Sequence, residues 1–223
     1  MGLQFWGFPA VGSLIIDVLL PSLNRPLELK RSLGYLLQEK GVFVFAQEET
    51  EPRSLWELYS QLAVRGSGDI VGWWADHLVP DIGCFDQIRG LFAEHFPDGN
   101  GAVGLHIVNK GRAKMPYPNS AFVFFGRKIL DEFPDGQFIC PDYWHYFGDT
   151  EFGNYLKDTG RFVYGWDAGV YSYHPQYGTA DKDSTYQVSS NCFRGDEKTW
   201  LVRQGQGWLW GRDFNRVGVI HAN

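Results

Sequence analysis

The chain has 223 residues and a formal net charge of −6. That length is enough for one α/β domain with a full core, and the acidity excludes a protein whose whole surface tracks a nucleic-acid backbone. The three cysteines, Cys84, Cys140 and Cys192, stand far apart with no CxxC spacing, which gives neither a zinc site nor an evident disulfide framework and points to a reducing cytoplasm. The first twenty residues are apolar but lack a basic n-region and carry Asp17, so they do not read as a signal peptide, and no apolar run is long enough to span a membrane.

Residues 14–20 (LIIDVLL) form a short branched run ended by Pro21, the pattern of a buried parallel strand. Asn24-Arg25-Pro26 then supplies an N-cap and an early-turn proline, and Leu29, Leu33, Leu36 and Leu37 recur at helical spacing until Gly41. A second strand is expected over 42–46. Ser54-Leu55-Trp56-Glu57 has the form of a capping box opening a helix through Leu58 and Leu62. Residues 69–75 (DIVGWWA) read as a third buried strand stopping at Asp76-His77, and 85–94 as a helix. Strand-like runs follow at 102–108 and 121–125, then a helix over 149–159 and strands at 161–164 and 169–173, the last closing on His174. Beyond Pro175 the chain reads as polar and irregular. Alternation of strand and helix implies right-handed crossovers and a parallel sheet whose ligands bind beyond the carboxyl ends of the strands, where Asn24, Glu48 and Asp76 fall.

Aromatic residues make up 17% of the chain, more than a minimal core needs, and rings outside a core often line sites for sugars and bases. The strongest local signal is Trp73-Trp74-Ala75-Asp76-His77, a carboxylate and an imidazole at the end of an apolar strand. Asp76 is either the oxygen ligand of a hard divalent cation or the cap of the next element. Asp149 opens a helix, where free N–H groups favour a carboxylate, so an N-cap accounts for it on spacing alone, and His174 is a structural histidine or a ligand. Asp181, Asp183 and Thr185 lie on a loop that either closes over a ligand or is a solvated turn. Trp208 and Trp210 read as strand packing, and Arg203 and Arg212 as cations available to an anionic ligand.

Three of these segments carry a resemblance. Leu19-Leu20-Pro21-Ser22-Leu23-Asn24-Arg25-Pro26 looks like the opening "IIPTYNRP" strand and loop of family 2 GT-A glycosyltransferases. Ala75-Asp76 takes the place of that family's DxD-type metal motif. Gly148-Asp149-Thr150-Glu151-Phe152, Gly160-Arg161-Phe162 and His174 resemble the run "ED-x-DL … aG-y … H". The order and gaps agree over residues 14–175.

The resemblance implies a GT-A type (Rossmann-like) α/β fold with a mostly parallel sheet flanked by helices, in one domain with a nucleotide-sugar half (14–110) and an acceptor half (111–223). It implies a nucleoside diphosphate sugar donor, a UDP-sugar first, flanked by Pro21, Ser22, Asn24, Arg25, Gln47, Glu48 and Ala75. Asp76 and His174 would hold a divalent metal, Mn2+ or Mg2+. Asp149 would be the general base of an inverting transfer, with Tyr143, Trp144 and Glu151 on the acceptor side. The sequence departs from the family in having a single Asp in the metal motif, Gln47-Glu48 in place of Asp-Asp, and Gly148 in place of Glu.

The acceptor stays open between a hydroxymethylated base in phage-type DNA and a cell-surface glycan or small metabolite. The DNA reading uses Tyr143, Trp144, Tyr146 and Phe147 as faces for an unstacked base and Lys110, Arg112 and Lys114 as a local basic strip. A non-catalytic nucleotide-binding module is the alternative outside enzymes.

Overall fold

Ile16, Val18 and Leu20 alternate with Asp17 and Leu19, yet all five are buried, because β1 (Ile16–Leu23) has helices on both faces. The computed structural model describes residues 14–110, 121–175, 178–207 and 210. Next come α1 (Pro26–Leu36), β2 (Val42–Glu49), α2 (Leu55–Ala63), β3 (Ile70–Trp73), β4 (Leu78–Pro80) and α3 (Cys84–His95). After them come β5 (Ala102–Ile107), β6 (Val123–Gly126), α4 (Gly148–Asp158), β7 (Phe162–Ser172) and α5 (Ser184–Gly205). Among the described residues, seven strands form one sheet in the order β2-β1-β3-β6-β5-β7-β4.

The pairings β1·β2, β1·β3 and β5·β7 are parallel, while β6 runs antiparallel to β3 and β5, and β4 antiparallel to β7. Five strands therefore share one direction, which is the mostly parallel sheet expected, and β6 and β4 run against it. One core, with Trp74, Phe85, Ile88 and Phe124, lies under α1 and α3; the other, with Trp56, Trp73, Phe138 and Phe152, lies under α2 and α4. Consecutive tryptophans thus point into opposite cores, as the two-residue period of a strand requires. Gly72 lets β3 and β6 approach, since a Cβ there would meet the Phe124 ring at 2.3 Å.

Most expected elements are present, with shifted ends. Ser54 caps α2 by accepting from Glu57 N at 3.3 Å. The two late strands are one strand, β7, whose pairing with β5 slips between Leu105 and His106. The stretch read as irregular contains the 22-residue α5, capped by Asp183 Oδ1, which accepts from Thr185 N at 2.9 Å and Tyr186 N at 3.3 Å.

Candidate active site

The β1·β3 register pairs Leu19 with Trp73, so three residues further on Ser22 and Asp76 meet, and Ser22 Oγ donates to Asp76 Oδ2 at 2.7 Å. Arg25, just before α1, donates from Nη1 to Asp76 Oδ1 at 2.6 Å, and both side chains are almost wholly buried. Beyond β4 and β7, Tyr173 N donates to His77 O at 2.8 Å, and this antiparallel closure sets the His77 and His174 rings 5.0 Å apart. His77 Nδ1 lies 3.7 Å from Asp76 Oδ1. These groups line a cavity of about 580 Å3 beyond the carboxyl ends of β1 and β3, walled by Tyr59 from α2, Trp144, His145 and Tyr146 from the loop before α4, and Tyr186 and Ser189 from α5.

Of the residues expected to hold a donor, Pro21, Ser22, Arg25, Ala75, Asp76 and His174 line this cavity, and so does Trp144. Asn24 does not. Its φ of 51° turns the chain out of β1, and its amide donates to Thr50 O at 3.0 Å, tying that turn to the end of β2. Gln47 and Glu48 also lie off the cavity, because β2 runs on to Glu49 and this last residue faces the site instead. Tyr143 is fully buried and donates to Glu151 Oε2 at 2.7 Å, while Arg203 clamps both oxygens of Glu151. Tyr143, Glu151 and Arg203 therefore form a buried tie between α4 and α5 rather than an acceptor wall, and Arg203 is committed there. Trp210 packs on the same core and donates to Gln137 O; Trp208 and Arg212 lie outside the described residues.

Asp149 stands at the second position of α4, after Phe147 in a left-handed conformation with φ 65°. It accepts from Thr150 N at 2.8 Å, and burial pushes its carboxyl up to about 6 against that hydrogen bond. It is not part of the cavity lining. Tyr59 is, and it feels the charge of both Asp76 and Asp149 while donating to Trp74 O. Gly148, where the resembled family has Glu, is explained by packing: a Cβ would meet Trp56 Cε2 at 2.6 Å and Ile139 Cγ2 at 2.7 Å.

Among the site residues, His145, Tyr186 and Asp196 were not singled out from the sequence. The N–H groups of Trp144, His145 and Tyr146 donate to the buried carboxylate of Asp196 at 2.7, 2.8 and 2.7 Å, so α5 holds the loop that forms one wall. Tyr186 stacks edge-on against His174 at 4.8 Å, and Asp183 Oδ2 lies 3.0 Å from Arg25 Nε. Asp183, expected on a loop that closes over a ligand or turns in solvent, is the N-cap of α5, as Asp before Ser-Thr favours. Burial pushes His145 and His174 down to about 4, which leaves both imidazoles neutral at pH 7.

One carboxylate and imidazole nitrogens are a donor set that suits Mn2+ better than Mg2+, so Asp76, with His174 and His77 beside it, fits such an ion in kind. Among the described residues no three His, Cys, Asp or Glu side chains form a complete metal-binding group, and phosphate oxygens and water would supply the remaining ligands. Asp76 Oδ1 is held by Arg25.

Neither a protein-family model nor a curated protein sequence matches the chain. Solved structures do. The chain is similar to mannosyltransferase PcManGT from Pyrobaculum calidifontis in complex with GDP-Man and Mn2+, with TM-score 0.55 and 14% identity over 76% of this chain and 60% of that one. It is also similar to glucosyl-3-phosphoglycerate synthase from Mycobacterium tuberculosis in complex with Mn2+, UDP-glucose and phosphoglyceric acid, with TM-score 0.62 and 14% identity over 90% and 86%. The chain has a GT-A type fold. Within this GT-A sheet, Ala75-Asp76, which resembled the metal motif, follows β3 and lines the cavity. Among the described residues no helix is long and apolar enough to cross a membrane.

Proposed function

We propose that the chain is a glycosyltransferase that moves a sugar from a nucleoside diphosphate sugar to an acceptor hydroxyl. One observation carries this: the cavity of about 580 Å3 lies at the carboxyl edge of a GT-A sheet and is lined by Ser22, Arg25, Asp76 and His174. Its volume is that of a small-molecule site. The Mn2+ and nucleotide sugars bound by the two similar enzymes support the donor class, with UDP-glucose and GDP-Man as the first candidates.

A divalent ion at Asp76 and His174 would offset charge on the leaving diphosphate. By the family resemblance Asp149, which lies outside the cavity lining, is the base of this reading, and its carboxyl, raised to about 6, can accept a proton at neutral pH. For the acceptor, a saccharide or small-metabolite hydroxyl is favoured over a base in DNA. Of the rings that would hold an unstacked base, Tyr143 is fully buried, and Tyr146 and Phe147 pack on Phe193 of α5. The side chains of Lys110, Arg112 and Lys114 lie outside the described residues.

The experiment is diphosphate release from a panel of UDP- and GDP-sugars with Mn2+, with saccharide, phosphorylated-metabolite and hydroxymethylated-DNA acceptors. Release is expected with at least one donor and is lost in Asp76→Ala. No release from any donor, or full activity of Asp76→Ala, refutes the reading.

A further inference from the structure

The charge that faces Asp76 is a guanidinium. Arg25 gives Nη1 to Asp76 Oδ1 at 2.6 Å, Nη2 to Tyr186 Oη at 3.2 Å, and sets Nε 3.0 Å from Asp183 Oδ2, with Cζ 5.0 Å from the centroid of the Tyr186 ring. The second carboxylate oxygen of Asp76 is held by Ser22, so the carboxylate that best suits a cation is satisfied on both oxygens. Arg25 is 6% exposed, and its cation cannot be discharged by deprotonation. A divalent ion arriving at Oδ1 would meet this fixed positive charge at contact distance with little water to screen it. The ion and the guanidinium therefore exclude each other.

We infer that Arg25 is the resting occupant of the cation position at Asp76, and that a divalent ion binds there by displacing the guanidinium, which is retained by Asp183 and Tyr186. The inference rests on the reading of Asp76 as a metal ligand and adds a residue that sets the metal affinity. Asp183 suits the retaining role: its side chain is 40% exposed, and its Oδ1 caps α5, leaving Oδ2 for Arg25. Metal binding is then coupled to the donor. Arg25 lines the donor cavity, so the diphosphate brings the negative charge that favours both the ion and the released guanidinium.

The test is titration with Mn2+ alone, following the free ion by electron paramagnetic resonance, in the full chain and four variants shown by thermal melts to be folded. Arg25→Ala and Arg25→Gln should each bind Mn2+ at least about tenfold more tightly, as expected for removing a charge-assisted competitor. Asp183→Asn, on the partly exposed side of the pair, should bind more weakly than the unsubstituted chain, because the displaced guanidinium loses its retaining partner. Arg25→Ala/Asp183→Asn should match Arg25→Ala, because Asp183 acts only through Arg25. Unchanged or weaker binding in both Arg25 variants overturns the proposal. An Asp183→Asn loss that persists undiminished in the double variant also overturns it, since Asp183 would then ligate the ion itself. Repeating the titrations with UDP separates the two readings. Mn2+ binding that needs UDP yet ignores Arg25 defeats this proposal alone, whereas no binding in any variant, with or without UDP, defeats the metal reading of Asp76 as well.

Discussion

Asp149→Asn should lower activity and raise stability at once, and the size of the second effect follows from the site. Burial carries the carboxyl from an ordinary 3.8 to about 6, so the folded state binds its proton more tightly than the unfolded chain does. An acid whose pKa is raised on folding contributes stability that is present below its unfolded pKa and lost as pH rises through the folded one. At about 1.36 kcal/mol per unit, the ceiling on the cost of ionised Asp149 at pH 8 is about 3 kcal/mol. The group is partly exposed and keeps its bond from Thr150 N, so about 1–2 kcal/mol is the expected net figure. Asparagine has the same shape, can accept the same hydrogen bond and carries no charge. Urea unfolding at pH 4 and pH 8 should show the variant matching the unsubstituted protein at the lower pH and exceeding it at the higher. Turnover should fall by about 10² or more, the usual contribution of a general base. A variant less stable at pH 8, or one with the same gain at both pH values, refutes the burial argument. Near-normal turnover reduces Asp149 to a helix residue.

Three further outcomes are expected. Asp196→Ala leaves the N–H groups of residues 144–146 without their carboxylate; it should cost about 2–4 kcal/mol in urea unfolding and raise KM for the acceptor more than it lowers kcat. Gly148→Glu, which restores the residue of the resembled family, should destabilise by about 3 kcal/mol because the new Cβ meets Trp56 and Ile139; a stable variant would show that the packing there yields. His145 and His174 are held near 4, below the ordinary 6.5, so they contribute stability that is present above 6.5 and lost as pH falls toward 4. Thermal melts across that range should fall with acid, and His145→Gln with His174→Gln should flatten the slope.

The elements legible in the sequence were those whose burial leaves a periodic mark. LIIDVLL and DIVGWWA read as buried strands because both of their faces are covered, and the capping box at Ser54 is a contact between residues three apart. Asp76 could be placed at the end of β3 for the same reason. What holds Asp76 could not be read: Arg25 is 51 residues away and Ser22 is 54, brought to it by the β1·β3 register. Gln47 and Glu48 were misplaced because a strand end is not marked by hydropathy once the strand leaves the core. β2 continues through polar Gln47-Glu48-Glu49 because its backbone pairs with β1.

The missed α5 shows what kind of information a single chain hides. A helix is recognised by an apolar stripe, and α5 buries only Ser189 and Asp196, so a stripe is nearly absent. It is held by polar contacts spread along its length, together with Phe193 and Trp200, which pack on Tyr146 and Phe147. Thr185 Oγ1 donates to Leu23 O, Tyr186 Oη accepts from Arg25, Asp196 collects three backbone N–H groups, and Arg203 clamps Glu151. Each of these bonds joins α5 to a different part of the domain: the end of β1, Arg25 before α1, the cavity loop and the body of α4. A helix attached in this way adds little to the core. Its weight falls on the geometry of the cavity, so neutralising Asp183, Asp196 or Arg203 should disturb ligand binding at lower denaturant than is needed to unfold the sheet. Measuring nucleotide binding and tryptophan fluorescence along one urea titration decides this: loss of binding should precede the global transition in each variant, and coincident curves would mean that α5 unfolds only with the rest of the domain.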